Sequence, residues 1–456
     1  MNRFFVVFIF LAFANNTWAE SLSEIYAAAL QNDYRFKSAQ FGYLADQEIK
    51  NISRADFLPV VNADGVLTHS ETTTELNSSN PLAIKSTQVQ RSRSPGYSIS
   101  LTQSLIDVTA IHNYRRSELL GRLAALELES AKSSLVFRTA DAYLKILRAD
   151  AKFVAAQSSE AAYRQQLEVA KKKFNVGLVR MSDVIETQSR SDAALADVLI
   201  AKNNVGILFE YLEVITGNNY AQLAALSDGF VASLPVPMDL KQWIDAAEKN
   251  NIDINIAKLK TDEVYQKYQA NKSEHLPKLT GRLSYSDSYK SNKYNDAIPD
   301  RLYNEGVSAS LILTVPLYNG GRLSASARQA NYDYLESQNN SNNTNREVVQ
   351  ATHSIYLSTV AGVSVINARK TAIRSSQAAL DYAKRGYEEG VRNIIDVLDA
   401  QNIFYRANQD YADAVYEYLI AGLKLKEMAG VLSVRDIEEL DLQLDQSKKV
   451  HIPALN

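Results

Sequence analysis

Hydrophobic positions recur along this chain with two different periods. From about Thr109 to Lys173, apolar or small residues return every three or four positions, at Val136, Ala140, Tyr143, Leu147, Ala151 and Val154. That is the spacing of one helix face. The stretch holds no proline and a single glycine, Gly121, so it predicts one helix of roughly 65 residues, about 100 Å at 1.5 Å per residue. Asp183 to Ile215 predicts a return helix half as long and reads in heptads, with Val198, Val205 and Leu212 interleaved by Ala201, Leu208 and Ile215. Asp396 to Met428 repeats the pattern, with Phe404, Tyr411, Tyr418 and Leu425 against Ala407, Ala414, Ala421 and Met428. Such heptads predict coiled-coil packing, and alanine at one seam position lets helices approach closely. Shorter helices over Tyr34 to Asp56 and Ile252 to Ser273, stacked end to end on the return helices, match the length of the long ones and predict rods two helices wide. Gln338 to Arg346 reads QNNSNNTNR. Asparagine disfavours helix, but the equivalent Ala125 to Ser133 is plainly helical, and helix is expected here too.

Elsewhere the period drops to two. Tyr97, Ile99, Leu101 and Leu105 alternate with Ser98, Ser100, Thr102 and Ser104. Leu279, Leu283, Tyr285 and Tyr289 alternate with Thr280, Arg282, Ser284, Ser286 and Ser288, and Val307, Ala309, Leu311, Leu313 and Val315 largely with Ser308, Ser310 and Thr314. Val61 to His69 is a weaker case. Strands of about ten residues with one apolar and one hydroxyl-rich face are what a transmembrane barrel requires; a half-buried soluble sheet alternates in the same way. Tyr97, Tyr289, Tyr294, Tyr303 and Tyr318 suit interfacial girdles. Polar loops are expected at Glu71 to Ser92 and Lys290 to Asn304. Four strands cannot close a barrel, and hydrocarbon does not tolerate open edges, so spanning strands require several chains to share one barrel.

The chain is also written twice. Phe174-Asn175-Val176-Gly177 leads into Asp183, and Tyr387-Glu388-Glu389-Gly390 leads into Asp396, with both the glycines and the aspartates 213 positions apart. Leu22 and Leu240, like Pro59 and Pro277, are separated by 218. A repeat of this length makes each copy half of one large architecture rather than a solenoid unit.

Composition narrows the class. The 17 glycines and 9 prolines fall well below the roughly 7% and 5% of ordinary domains, which means few turns and long elements. Arg3, an apolar run from Phe4 to Ala14 and Thr17-Trp18-Ala19 read as a cleaved export signal, too short to span a bilayer. There is no cysteine, hence no disulfide, thiol nucleophile or lipid-bearing Cys, and the five histidines are scattered. No nucleophile, base or metal cluster converges, which argues against an enzyme and implies no cofactor. A net charge of −3 argues against nucleic acid as a partner. The run Asp436 to Asp441 reads as a solvated acidic stretch. Expected boundaries are a signal over 1–19, a first repeat over 20–217, a linker over 218–238, a second repeat over 239–430 and a tail over 431–456. A periplasmic coiled-coil scaffold or adaptor without a barrel is the alternative architecture.

The paired signatures F-N-V-G-L-V-R-M-S-D-V and Y-E-E-G-V-R-N-I-I-D-V-L-D-A-Q, with the strand exits from Leu101 to Asp107 and from Val315 to Arg322, carry a resemblance to the TolC family of outer-membrane efflux and secretion channels. It spans roughly Ser21 to Gly430. The resemblance implies a mainly α fold with long helical hairpins forming an α-barrel. It also implies a homotrimer sharing one twelve-stranded barrel in outer-membrane lipid, and an equatorial belt that includes the C-terminal tail. The implied partners are a periplasmic adaptor (membrane fusion) protein and an inner-membrane ABC or RND-type pump. The implied function is an exit duct for proteins or small toxic molecules.

Gly177 and Gly390 suit the left-handed residue that ends a helix. Asp183 and Asp396 follow as candidate N-caps, each with an acid three residues on, Glu186 and Asp399. The resemblance gives these tips a second role, the constricted periplasmic entrance. Asp396 and Asp399 resemble its acidic lining. Tyr387 and Arg392 resemble links that hold it shut, with Ser182 and Asp183 as their partners. Val176, Gly177, Leu178, Gly390 and Val391 are then the contacts for an adaptor. Two carboxylates about 6 Å apart repel by roughly 3 kcal/mol at an effective dielectric near 20, a charge that Arg392 would offset in part.

Overall fold

The computed structural model describes residues 20–76, 86–295 and 298–452. The expected signal over 1–19 lies outside them, as do parts of both expected polar loops and the last four residues. The element order repeats: α1 (Leu22–Asn32), α2 (Tyr34–Ala55), β1 (Val60–Leu76), β2 (Ser86–Ile106), α3 (Val108–Asn175) and α4 (Met181–Thr216) are followed, after β3 (Gln222–Leu226), by α5 (Leu240–Asn250), α6 (Ile252–Ser273), β4 (Lys278–Tyr294), β5 (Asp300–Thr314), α7 (Arg322–Glu388) and α8 (Ile394–Met428). The chain closes with α9 (Val434–Asp441) and β6 (Leu444–His451). Two compact units form, each drawing on both copies: one from residues 20–40, 127–255 and 344–452, the other from 41–126 and 256–343. No helix among the described residues is long and apolar enough to cross a membrane.

The second unit holds one antiparallel sheet in the order β1-β2-β4-β5. Its strands run 17, 21, 17 and 15 residues, longer than the ten expected. The extra length lies where both faces turn polar and apolar alternation gives no signal. There, cross-strand pairs such as Thr72 with Gln90 and Asn292 with Asp300 carry the ladder. Directly opposed residues share a face, so the register sorts every side chain. One face carries the rows Val61–Leu101–Leu283–Ala309 and Ala63–Ile99–Tyr285–Val307. The other carries Asn62–Ser100–Ser284–Ser308, tied by hydroxyl pairs, Ser284 to Ser308 at 2.8 Å and Ser70 to Ser92 at 2.7 Å. Within this unit α2 lies along α3, with Gln47 Nε2 donating to the Gly121 carbonyl at 2.9 Å and Lys50 paired to Glu118 at 3.1 Å. On α6, the buried Glu263 accepts from Arg116 of α3 and Lys260, and Lys267 pairs with Asp333 of α7 at 2.9 Å. Burial pushes the Glu263 carboxyl up, but Lys260 and Arg116 outweigh it and hold it below its ordinary value.

In the first unit the middle of α3 is buried almost all round. Leu135, Val136, Ala140, Tyr143, Leu144, Ile146 and Leu147 meet Leu22 and Ile25 of α1, Phe209 and Leu212 of α4, Leu223 of β3, and Ile437 and Leu440 of α9. The acidic run at 436–441 is thus solvated on one side only, with Glu438 and Glu439 exposed as expected and Asp436, Ile437 and Leu440 buried. It forms the amphipathic helix α9, with Asp436 only 8% exposed, capping its own helix through Ser433 and paired to Lys426. Asp441 accepts from the Leu22 N–H at 2.9 Å. Strand β6 pairs with β3, so segments expected to be a linker and a tail form one small sheet. The asparagine-rich stretch continues as helix within α7. Its side chains turn back on their own helix, Gln338 to the Tyr334 hydroxyl at 2.7 Å and Asn339 to the Leu335 carbonyl at 2.8 Å.

Candidate functional site

Both helix-to-helix turns lie in the first unit and are built alike. At the first, Gly177 has φ 75°, its N–H reaches the Phe174 carbonyl at 2.9 Å, and the Leu178 N–H reaches Lys173 at 2.9 Å. At the second, Gly390 has φ 76°, with Gly390 to Tyr387 at 3.2 Å and Val391 to Gly386 at 2.8 Å. These paired bonds satisfy the last carbonyls of α3 and α7 and require a left-handed residue, which glycine supplies without strain. Behind the turns, Tyr163 of α3, Ala194 of α4, Leu380 and Ala383 of α7, and Ile394, Val397 and Leu398 of α8 share one core. The Tyr163 hydroxyl donates to the Leu398 carbonyl at 3.1 Å. The two hairpins therefore present their tips from a common packed base.

The return helices start earlier than expected, at Met181 and Ile394, so Asp183 and Asp396 are not N-caps. Asn393 caps α8, accepting from the Asp396 N–H at 2.9 Å while the Asp396 carboxylate accepts from the Asn393 N–H at 3.1 Å. Arg180 stands at the equivalent position before α4, and Asp183 accepts from its N–H at 3.3 Å. Each aspartate is thus the third residue of its helix, where a carboxylate satisfies a free N–H and meets the positive helix end. The Ser182 hydroxyl donates to Asp183 at 3.4 Å.

The remaining side chains divide the expected constellation. Tyr387 stands over a cleft of about 280 Å³ lined by Gln165, Lys173, Glu388 and Gln401, with the Lys173 ammonium 4.4 Å from its ring centre. Burial, and then the Asp183 charge, push the Tyr387 hydroxyl above its ordinary value. The Asp183 charge from the first copy is thus felt at Tyr387 in the second. Arg392 is not brought to Ser182 or Asp183 within the chain. It folds back over Gly386, where an added Cβ would come within 3.1 Å of its side chain, and lies 5.3 Å from the Tyr382 ring centre. Asp399 is held by Arg190 of α4 at 3.1 Å, and Arg190 also reaches Glu186 at 3.2 Å. Sequence reasoning does not single out Arg190, Lys173, Tyr382 or Asn393. The four-residue spacing of Glu186 and Arg190 is the available signal for the first, and Asn393 three residues before Asp396 for the last. Val176, Leu178 and Val391 are 69%, 73% and 77% exposed.

Residues 25–218 and 243–431 match the family described as outer membrane efflux protein. The chain belongs to that family. It is 31% identical over 442 residues to the outer membrane protein TolC of Escherichia coli, covering 95% of this chain and 87% of the relative. It is 26% identical to the alkaline protease secretion protein AprF of Pseudomonas aeruginosa, covering 94% and 88%. The crystal structure of the Campylobacter jejuni CmeC outer membrane channel superposes with a TM-score of 0.72 at 17% identity, covering 94% and 90%. As a member of the outer membrane efflux protein family, this chain is an outer-membrane exit duct with a periplasmic part, a transport conduit and not an enzyme. The two matched segments each contain one of the glycine turns.

Proposed function

We propose that three copies of this chain share one twelve-stranded barrel and one helical tunnel, and that the two helix-to-helix turns of each copy gate its periplasmic entrance. The observation that carries the reading is the β1-β2-β4-β5 sheet, with an aliphatic face, a serine-rich face and two edges, β1 and β5, that pair with no other described strand. A lipid environment requires such edges to be closed, and β5 of one copy against β1 of the next would close them. Each copy of the internal repeat contributes two strands and one tip, with 20–217 and 239–430 as the repeats and 218–238 and 431–452 as the segments between and after them.

In this reading Asp396 and Asp399 line the entrance, and the electrostatic coupling of Tyr387 to Asp183 ties the second tip to the first. Arg392, which meets neither Ser182 nor Asp183 of its own chain, is available to the adjacent copy. The exposed Val176, Leu178 and Val391, carried on the Gly177 and Gly390 turns, are where a periplasmic adaptor docks. An inner-membrane ABC or RND-type pump supplies the cargo, proteins or small toxic molecules. Arg392→Ser combined with Tyr387→Phe should raise the conductance of trimers in planar bilayers. Unchanged conductance in correctly assembled, heat-modifiable trimers rules out the gate assignment. A chain that never yields such trimers rules out the shared barrel.

A further inference from the structure

The face of the sheet that carries the aliphatic rows does not stay apolar to its end. Beyond Ala63–Ile99–Tyr285–Val307 comes Gly65–Tyr97–Asp287–Glu305, and then Leu67 opposite Pro95 and Tyr289 opposite Tyr303. The tyrosines pack across strands, Tyr97 to Tyr285 at 6.1 Å and Tyr289 to Tyr303 at 4.9 Å between ring centres. Glu305 accepts from the Tyr285 hydroxyl at 2.9 Å. The next two rows read His69–Arg93–Ser291–Arg301 and Glu71–Arg91–Lys293, after which β1 and β2 continue alone on this face as Thr73–Val89 and Glu75–Thr87. Within these two rows of described residues Arg93, Arg301, Arg91 and Lys293 stand with one carboxylate, Glu71, which accepts from Arg91 at 3.1 Å, and Glu75 follows two rows on. On the opposite face at the same level, Ser70, Ser92, Asn292 and Asp300 form one row, and Lys290 stands opposite Leu302. The positive excess therefore belongs to the aliphatic face alone.

We infer that Arg91, Arg93, Lys293 and Arg301 form a collar that binds the phosphate of a lipid headgroup in the surrounding leaflet. The inference rests on the reading of the sheet as part of a membrane barrel. On that reading the aliphatic rows meet acyl chains, the tyrosines meet the interface and the collar stands at headgroup depth. Arg93 and Arg301 flank Ser291, one strand to either side, about 10 Å apart at the backbone. Their side chains flank a residue too small to obstruct a phosphate. Guanidinium forks match phosphate oxygens in geometry as well as in charge. The partner that fits is an amphiphile, because acyl chains cover the rows below while phosphate oxygens meet the collar. A free anion satisfies only the second half. In an outer membrane, phosphorylated glycolipid is the lipid of that class on the side to which the strand hairpins point.

The test uses detergent-purified trimers and native mass spectrometry. Diphosphorylated lipid A should remain bound. The same lipid stripped of phosphate should bind about tenfold more weakly for each guanidinium–phosphate hydrogen bond that it can no longer accept. Arg91→Ser/Arg93→Ser/Arg301→Ser should abolish that discrimination, and the corresponding lysine triple should retain part of it. Equal retention of both lipids by the unsubstituted trimer overturns the collar, whether or not the variants assemble. Displacement of lipid A by equimolar inorganic phosphate also overturns it, because the site then recognises a free anion. Failure to form heat-modifiable trimers at all strikes the barrel reading instead, so the two failures are distinguishable.

Discussion

Arg190 on α4 and Asp399 on α8 are joined across the two internal copies, guanidinium Nη2 to carboxylate Oδ1 at 3.1 Å. Asp396, one turn earlier on α8, instead engages the backbone N–H of Asn393 with its carboxylate. The two acids at the second tip are therefore unequal. Arg190→Gln should release the Asp399 charge and raise cation preference, read as a shift of reversal potential in a KCl gradient. Asp399→Asn should move that potential less than Asp396→Asn. Both partners of the pair are well exposed, so its removal should cost stability by no more than about 1 kcal/mol. Equal shifts from the two asparagine variants would count against the inequality.

The left-handed glycines should respond very differently to alanine. Gly177 and Gly390 have open space around a hypothetical Cβ. Alanine there meets only the backbone penalty, about 1–2 kcal/mol. At Gly430, with φ 68°, the same Cβ would collide with the Asn250 carbonyl group. Gly430→Ala must displace backbone where α8 meets the end of α5, and a loss above about 4 kcal/mol is expected. Thermal melts followed by helical circular dichroism should separate the two classes. A similar Tm for all three would refute the distinction.

Asp150 on α3 carries a different load. Burial lifts its carboxyl to about 6, with His451 of β6 pulling it down in part; its charge in turn helps to raise the buried Tyr416 hydroxyl of α8. A raised folded-state carboxyl favours the protonated form, so its destabilising effect is absent below 3.8, grows as pH rises towards 6 and is constant above. Asp150→Asn should therefore stabilise the protein at pH 7.5, by about 1–2 kcal/mol after allowance for screening. The gain should vanish near pH 3.5. A gain independent of pH would assign the effect to packing.

Asp33 shows the opposite sign. It precedes α2, accepts from the Phe36 N–H at 2.7 Å and receives the Arg138 fork at 2.9 and 3.1 Å. Burial opposes its charge, but Arg138 and the cap hold the carboxyl below the ordinary 3.8. Its stabilisation is thus complete above pH 3.8 and is lost as pH falls through the lower folded value. In the second copy Asn251 caps α6 in the same way, Ile254 N–H at 3.1 Å, and turns its amide to the Met428 carbonyl at 2.8 Å. Asp33→Asn keeps the cap and strands Arg138, so about 3 kcal/mol should be lost at neutral pH. Asp33→Asn/Arg138→Met should recover part of it in urea unfolding.

The helices were legible because their period is long and their interiors lack breakers; α6 runs from Ile252 to Ser273 as expected. The strand ends were not, because serine and threonine on both faces erase a period-two signal while backbone pairing continues. The small sheet of β3 and β6 was hidden for another reason: Leu223 and Val450 are buried against elements remote in sequence. At the tips, the repeat exposed Gly177, Gly390 and the acids, since symmetry marks positions. The spacing of Arg190 to Glu186 could be read within one copy, but its bond to Asp399 could not, because contacts between copies leave no spacing to read.

The bond from the Leu22 N–H to Asp441 spans 419 residues. The amino end of α1 thus finds its acceptor in α9, on the far side of both internal copies. Together with the pairing of β6 to β3, this makes the first unit a knot of order that cannot be tied from one end. Leu22 and Ile25 seat α1 on α3 and α4 of its own repeat, but the amino end of that helix is satisfied only from beyond the second repeat.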